Sequence, residues 1–181
     1  MKLPSDFKLT KYGLTVRLVE ESDSNFIFDL RSDPELDTFL NKIPNDINIQ
    51  RDWIKEYKKR EQEGIEYYFV YLVDDTPIGV YRMANVKNDS WMGASLIFRK
   101  DCPPGSPILA MLIHFFIGFE VLGKSVSFGD VMKGNTRTIK LNQFMGFDFI
   151  HEDDMVYYTL LSKKIYYETK EKVEKLFKVK D

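Results

Sequence analysis

The stretch N-T-R-T-I-K-L-N-Q-F-M-G-F, residues 135–147, decides the fold. Asn135 is a good N-cap, so the sequence predicts that a helix begins directly after it. Gly146 stands where a left-handed glycine ends a helix, and Phe147 then opens an extended run. The apolar side of this helix comes from Ile139, Leu141, Phe144 and Met145. The stretch therefore predicts a short capped helix that runs into a strand.

Hydrophobic periodicity and breaker residues predict the other elements on either side of this stretch. Strands are predicted at 14–18, 67–73, 77–85, 91–98, 125–132, 147–150 and 156–161. Helices are predicted from Ser22 or Asp23 to Asp33, at 47–63 and at 108–122, and from Ser162 in a charged tail. A proline-rich loop precedes the apolar helix at 108–122.

Loop lengths then predict the topology. Short polar turns join the second, third and fourth strands, which should be antiparallel. Helices link the later strands, which implies parallel crossovers. We expect an α/β (α+β) protein with a single mixed, mostly antiparallel sheet flanked by helices. It should form one domain over residues 1–181, with a core at 14–161 and a helical tail at 162–181.

Composition narrows the class of protein. The chain has 181 residues and a formal net charge of −2, so no basic field attracts nucleic acid. A single cysteine, Cys102, and two histidines argue against an internal disulfide and a metal site. The N-terminus lacks a signal-like apolar segment, and no apolar run is long enough to cross a membrane. We therefore expect a cytoplasmic enzyme or binding domain that needs neither a membrane nor a metal.

The stretch at 135–147 and the element order resemble the GNAT (GCN5-related N-acetyltransferase) superfamily of acyl-CoA N-acyltransferases. The corresponding family segment reads roughly N-x-x-[AS]-I-x-x-[YH]-x-x-x-G-F. The resemblance implies transfer of an acyl group, normally acetyl, from acetyl-CoA or another acyl-CoA to an amine. It also implies a splay between strands four and five, where the pantetheine arm pairs with the backbone of strand four.

Two branches of the family are nearest. The I-K-L at 139–141 and the D-V-M-K-G-N at 130–135 resemble nucleotide-amino-sugar N-acyltransferases. The V-R-L at 16–18 and the R-S-D-P at 31–34 are similar to acetyltransferases of ribosomal-protein N-termini. These features do not separate the two branches.

The resemblance implies a coenzyme site along strand four and at two helix starts. A loop that leads into a helix N-terminus suits a pyrophosphate. Pro107 replaces a small residue of the family loop and removes one backbone donor. Gly93 suits the bulge that starts the splay. The candidate coenzyme-binding residues are Leu96, Ile97, Phe98, Arg99, Gly105, Ser106, Ile108, Asn135 and Thr138.

The candidate catalytic residues are Asp130 and Asn142. Asp130 would bind or deprotonate the acceptor ammonium beside the splay. Asn142 stands where the family has a Tyr or His, and Asn cannot give up a proton to the departing thiolate. An amine with a pKa near 7.7 costs about 1 kcal/mol to deprotonate at pH 7, against about 4.6 kcal/mol for a lysine. A site with only a weak general base therefore favours an acceptor amine with a low pKa, such as a sugar amine or a protein N-terminus.

The candidate acceptor-binding residues are Arg31, Tyr81 and Arg82. Arg31 would pair with a nucleotide diphosphate, or else serve as a C-terminal cation of its helix. Tyr81 and Arg82 are adjacent on a strand, so alternation sends one of them to the acceptor side. His114 lies among phenylalanines on the apolar helix and is interpreted as a core or supporting residue.

Three functions remain open at this point. The first is an acyl-CoA-dependent N-acyltransferase that acts on the amine of a nucleotide-linked amino sugar by direct attack in a ternary complex. The second is an N-acetyltransferase of a protein N-terminus or another small-molecule amine. The third, motivated by Pro107 and Asn142, is a non-catalytic acyl-CoA-binding module. A homodimer through the C-terminal helix is also possible.

Overall fold

Eight strands form one sheet, in the order β1-β2-β3-β4-β5-β6-β8-β7. A computed structural model describes residues 1–36, 38–39 and 42–180, so the end of the predicted tail, Asp181, lies outside the described residues. The strands are β1 (Lys8–Lys11), β2 (Leu14–Leu18), β3 (Tyr67–Val73), β4 (Thr76–Ala84), β5 (Ser90–Phe98), β6 (Val126–Met132), β7 (Asp148–Glu152) and β8 (Val156–Ser162).

Among the residues so described, five α-helices flank the sheet: α1 (Ser24–Ser32), α2 (Ile47–Glu63), α3 (Ser106–Phe116), α4 (Thr136–Phe144) and α5 (Lys163–Phe177). A 3₁₀ turn at Glu21–Asp23 precedes α1, and a π-helical segment at Ile117–Val121 extends α3. Within the described ranges, no helix is long and apolar enough to cross a membrane.

Strand direction agrees with the sequence-based topology. Every pairing in the sheet is antiparallel except that of β5 with β6. The crossover through α4 returns β7 parallel to β6, but β8 lies between the two strands. The prediction of a single mixed, mostly antiparallel sheet with helices on both faces is confirmed.

Each face of the sheet carries its own apolar core. Helices α3 and α5 cover one face, where the core includes Tyr81, Trp91 and Phe115. Helices α1 and α2 cover the other face of the first strands, around Ile27, Ile54 and Tyr68. Adjacent residues of a strand point to opposite faces, so consecutive side chains of the central strands serve different cores.

The divergence expected between strands four and five occurs between β5 and β6. Their pairing covers only Ser90 to Met92 against Val126 to Phe128. Beyond Met92, β5 stays paired with β4, and beyond Phe128, β6 stays paired with β8. The two strands therefore separate and leave a V-shaped slot between them.

The bulge in β5 lies two residues beyond its expected position. Val80 pairs with Ile97 and Arg82 pairs with Ala94, so an extra residue of β5 stands opposite Tyr81. Ser95 in this bulge has a φ of 52°, an uncommon conformation for a residue with a side chain. Gly93 is instead the first residue of β5 that does not pair with β6. The prediction that Gly93 forms the bulge was wrong.

Candidate active site

Three neighbouring cavities follow the slot through the sheet. The middle cavity, here called the slot cavity, has a volume of about 140 Å³ and lies between Gly93 to Leu96 of β5 and Phe128 to Met132 of β6. It shares Leu96, Asn135 and Thr138 with a cavity of about 220 Å³ at the open end of the V. It shares Gly93, Ala94, Ser95 and Asp130 with a cavity of about 730 Å³ on the α1 and α2 side.

The cavity at the open end, here called the coenzyme cavity, contains several of the predicted coenzyme residues. Leu96, Ile97 and Phe98 line it from β5, and Asn135 and Thr138 line it from the start of α4. The side chain of Asn135 accepts a hydrogen bond of 3.1 Å from the Thr138 N–H, which confirms the predicted N-cap. The free edge of β5 in this region offers backbone groups to an extended ligand.

The loop before α3 presents fewer donors than a phosphate-binding loop normally does. Ser106 is buried, and both its N–H and its hydroxyl donate to the Pro103 carbonyl. The Ile108 and Leu109 N–H groups donate to the Gly105 carbonyl, and Pro107 has no N–H. The predicted contacts of Ser106 and Ile108 with a pyrophosphate therefore require rearrangement of existing hydrogen bonds, and that of Gly105 stays a prediction.

Charges upstream of this loop are already neutralised. Arg99 forms a bidentate pair with Asp101, at 2.8 and 2.6 Å, and both side chains are exposed. Lys100 pairs with Asp33 and Glu35 of the segment after α1. The predicted coenzyme contact of Arg99 thus competes with an ion pair.

The largest of the three cavities, here called the acceptor cavity, has a cationic and aromatic lining. Its charged side chains are Arg31, Lys42, Arg82 and Asp130, and Trp53 and Tyr68 add aromatic surface. Burial raises the pKa of Tyr68 to about 12, against the opposing effect of Arg31 and Arg82 beside it. Three cations and one anion make this cavity suited to an anionic ligand.

Contacts with Glu66 and Trp53 hold the Arg82 side chain in place. Its Nη1 donates to Glu66 Oε1 at 3.1 Å, and Arg60 Nε donates to the other oxygen of Glu66 at 2.7 Å. The Arg82 guanidinium also lies 5.6 Å from the centre of the Trp53 ring. Because Glu66 binds two arginines, one positive charge of the group remains uncompensated next to the cavity.

The predicted catalytic residues, Asp130 and Asn142, both line the slot cavity. Asp130 is exposed on β6 and also lines the acceptor cavity, so it lies at the junction of the two. Asn142 is buried on α4 with 7% of its surface exposed. Their placement brings together a carboxylate and an amide, but Asn142 supplies no acidic proton.

Tyr81 and Arg82, the two adjacent acceptor-binding candidates on β4, point to opposite faces of the sheet because side chains alternate along a strand. Arg82 points to the acceptor cavity, whereas Tyr81 points to the opposite face and lines the slot cavity. The Tyr81 ring stacks on His114 with 3.7 Å between ring centroids. His114 is fully buried and its Nε2 accepts from Trp91 Nε1 at 3.0 Å, as expected of a core histidine.

Sequence reasoning missed several residues of the site, among them Arg137, Phe39, Glu66 and Lys42. Arg137 of α4 lines the coenzyme cavity and forms no ion pair within the described ranges. Phe39 lines all three cavities and lies against Gly134. Glu66 supports Arg82. The R-T-I-K at 137–140 offered a signal for Arg137, because its cation follows a helix start, but Phe39 lies in a segment without periodicity.

Comparison with known proteins agrees with this geometry. The profile of the acetyltransferase (GNAT) domain matches residues 13–148, about three quarters of the chain. A structure described as apo FdhC, a nucleotide-linked sugar GNAT, is 34% identical with a TM-score of 0.84. The alignment covers 93% of this chain and 97% of that one. A comparison with curated proteins finds no match.

Two further structures share the fold at lower identity. The ribosomal-protein-S5-alanine acetyltransferase from Vibrio fischeri is 14% identical with a TM-score of 0.75, over 87% of this chain and 97% of its own. The N-acetyltransferase PseH of Campylobacter jejuni, in complex with acetyl coenzyme A, is 23% identical with a TM-score of 0.63, over 82% and 99%. Members of this family use acetyl-CoA. The chain therefore belongs to the GNAT acetyltransferase family and is an N-acetyltransferase.

Proposed function

We propose that this protein transfers an acyl group, acetyl in the simplest case, from acyl-CoA to the amine of a nucleotide-linked amino sugar. The observation that carries the proposal is the cationic acceptor cavity, with Arg31, Lys42 and Arg82 around it and Asp130 at its junction with the slot. Arginine binds phosphate oxygens in a bidentate manner, and a diphosphate-linked sugar presents such groups next to a neutral ring.

The size and lining of the acceptor cavity support a nucleotide-linked ligand. Its volume of about 730 Å³ is within the usual range for pockets that hold a small molecule. Trp53 offers a ring for stacking, and the cations of the lining repel a polyamine. The likeness to FdhC, described as a nucleotide-linked sugar GNAT, points the same way.

The chemistry we propose is direct attack in a ternary complex. Asp130 holds the acceptor ammonium and takes its proton, and the slot holds the thioester at attacking distance. The free edge of β5 pairs with the pantetheine arm, with Asn135, Thr138 and Arg137 around the coenzyme. The sulfur leaves as a thiolate, which needs no strong acid because a thiol has a pKa near 8.5.

A protein N-terminus is the second candidate acceptor. It shares the low amine pKa of a sugar amine, and the fold is similar to that of the S5-alanine acetyltransferase. A peptide without phosphates would, however, not supply the anionic groups to which the cationic lining of the acceptor cavity is suited. The third function, a module that binds acyl-CoA without catalysis, predicts that no free thiol is released with any acceptor.

A thiol-release assay with acetyl-CoA tests the proposal. Nucleotide-linked amino sugars, free amino sugars, peptides and polyamines serve as acceptors. We expect release that depends on an amino sugar and on its nucleotide diphosphate. Equal rates with the free amino sugar, or turnover of a peptide alone, would contradict the proposed acceptor.

Arg82→Gln is a sharper test of the anion contact. Because a hydrogen bond to a charged group contributes about 1.5–3 kcal/mol, we expect KM for the nucleotide-linked sugar to rise about tenfold or more. KM for acetyl-CoA should stay constant. Arg60→Gln is the matched control, because Arg60 binds the same Glu66 but does not line the cavity. An equal rise in both variants would assign the effect to Glu66 and the local fold.

A further inference from the structure

Tyr81 has an unusual position for a buried tyrosine. Its side chain is 5% exposed and lines the slot cavity at the point where β5 and β6 separate. Within the part of the chain that the structure describes, its hydroxyl makes no hydrogen bond. The hydroxyl is not fully enclosed but opens onto the slot cavity, so it is available to donate to a ligand that enters there.

The surroundings fix the direction of this hydroxyl. A Cβ added to Gly93 would lie 2.6 Å from Tyr81 Oη, so the hydroxyl lies directly over the Gly93 backbone. The His114 ring stacks on the Tyr81 ring, and the Trp91 indole N–H donates to His114 and fixes its position. Burial raises the pKa of Tyr81, which keeps the hydroxyl protonated as a donor.

The position of Gly93 identifies the ligand atom. Gly93 is the first residue of β5 beyond its pairing with β6, so it lies at the closed end of the slot. A coenzyme tail that enters from the coenzyme cavity along β5 brings its acyl end to this point. An acetyl thioester has only one good hydrogen-bond acceptor at that end, namely its carbonyl oxygen.

We propose that Tyr81 is a catalytic residue whose hydroxyl donates to the thioester carbonyl oxygen and stabilises the negative charge that develops there. The amine nitrogen forms a bond to the carbonyl carbon, and the π electron pair moves to the oxygen held by Tyr81 Oη–H. The C–S bond then breaks, and its electron pair leaves on the sulfur. The acceptor ammonium loses one proton to Asp130 before the attack, and the nitrogen of the adduct loses a second proton to water or to the leaving thiolate. The C=O bond re-forms from the oxygen electron pair as the C–S bond breaks, and Tyr81 keeps its own proton throughout.

This inference rests on the acyl-CoA slot of the proposed function, but not on the identity of the acceptor. Isotope-edited infrared spectroscopy of acetyl-CoA labelled with ¹³C at the carbonyl tests it without any acceptor. We expect the carbonyl stretch to be lowered in the complex and to return toward the free value in Tyr81→Phe. A frequency that is the same in both proteins would overturn the proposal.

Kinetics with any active amine, or acceptor-independent hydrolysis of acetyl-CoA, give a second readout. Loss of one oxyanion donor typically lowers kcat by about 10²-fold, and we expect Tyr81→Phe to do so. The Kd of free coenzyme A should not change, because it has no carbonyl at this position. An unchanged kcat would reject the role.

Two further variants separate the role from a structural one. Tyr71→Phe is the matched control: Tyr71 Oη also makes no hydrogen bond among the described residues, but Tyr71 is enclosed in the core and lines none of the three cavities, so kcat and the carbonyl frequency should be unaffected. Gly93→Ala should reproduce the loss by displacing Tyr81 Oη. A loss of kcat in Tyr71→Phe equal to that in Tyr81→Phe would assign the effect to packing.

Discussion

Among the residues that the structure describes, Asp130 is the only carboxylate that the slot cavity and the acceptor cavity share. Asp130→Asn keeps the shape but removes the base, so we expect kcat to fall by about 10²-fold with little change in coenzyme affinity. Steady-state kinetics and coenzyme titration measure the two effects. Asp148→Asn on β7, which β8 separates from β6, is the control, since Asp148 is exposed and lines none of the three cavities. An unchanged kcat in Asp130→Asn would remove this carboxylate from the mechanism.

His114 makes stability depend on pH. Complete burial lowers the pKa of His114 well below its usual value, so the folded protein keeps it neutral. The unfolded chain binds a proton below about pH 6.5, and stability therefore falls as the pH decreases below that value. Between pH 7 and pH 5 we expect this residue to account for about 2 kcal/mol of lost unfolding free energy.

Urea unfolding of His114→Gln at the two pH values measures this contribution. The amide oxygen of Gln still accepts from Trp91, and the variant has no group to protonate, so its loss between pH 7 and pH 5 should be smaller. His151→Gln is the control, because His151 is exposed on β7. The same pH dependence in His114→Gln as in the native chain would show that His114 does not titrate in this way.

Site residues within a recognisable sequence motif were predictable, whereas residues whose roles depend on contacts between different elements were not. Asn135 and Asp130 belong to one short motif, so their positions followed from the sequence. The choice between Tyr81 and Arg82 depends on which face of the sheet each side chain of β4 points to. The support of Arg82 comes from Glu66, which lies directly before the neighbouring strand β3 and 16 residues away in sequence. Such contacts have no signal in the local sequence.

Gly105 couples the loop before α3 to the C-terminal helix. It has a φ of 86°, and a Cβ at this position would lie 2.1 Å from Phe177 Cε1. Gly105→Ala therefore combines backbone strain with a clash, and we expect it to lower the unfolding free energy by about 2–3 kcal/mol. Thermal or urea unfolding measures the loss.

Gly123→Ala is the matched control for this contact. Gly123 also has a positive φ, of 69°, but a Cβ there would meet nothing within 4 Å, so only the strain of about 1 kcal/mol should remain. Phe177→Ala in the Gly105→Ala background should recover part of the difference. Equal losses in the two glycine variants would show that the Phe177 contact is unimportant.

Helices and strands with clear end signals were predicted to within one or two residues. Gly64 ends α2 as predicted, and α1 ends at Ser32, before Asp33 and Pro34. Strand β1 was missed because Lys8–Lys11 is short and mostly polar, and its pairing with β2 alone makes it a strand. The π-helical segment at Ile117–Val121 was also missed, since its apolar pattern continues that of α3.

The C-terminal helix joins parts of the chain that are far apart in sequence. Glu174 accepts from the Tyr12 hydroxyl at 2.6 Å, and Tyr166 donates to Glu120 at 2.6 Å. Thr169 donates to the Met145 carbonyl at the end of α4. The sequence predicted a charged helix with apolar contacts in this tail, but periodicity does not show which partners an amphipathic helix packs against.

The slot has two mouths, because the coenzyme cavity lies at the open end of the V and the acceptor cavity lies on the α1 and α2 side. Under the proposed function, donor and acceptor enter by different mouths, so neither has to wait for the other to enter or leave. Initial-rate plots at several fixed concentrations of each substrate should give intersecting lines, and calorimetry should detect acceptor binding to the coenzyme-free protein. Parallel lines, as in a double-displacement reaction, would mean that the two mouths are not used independently.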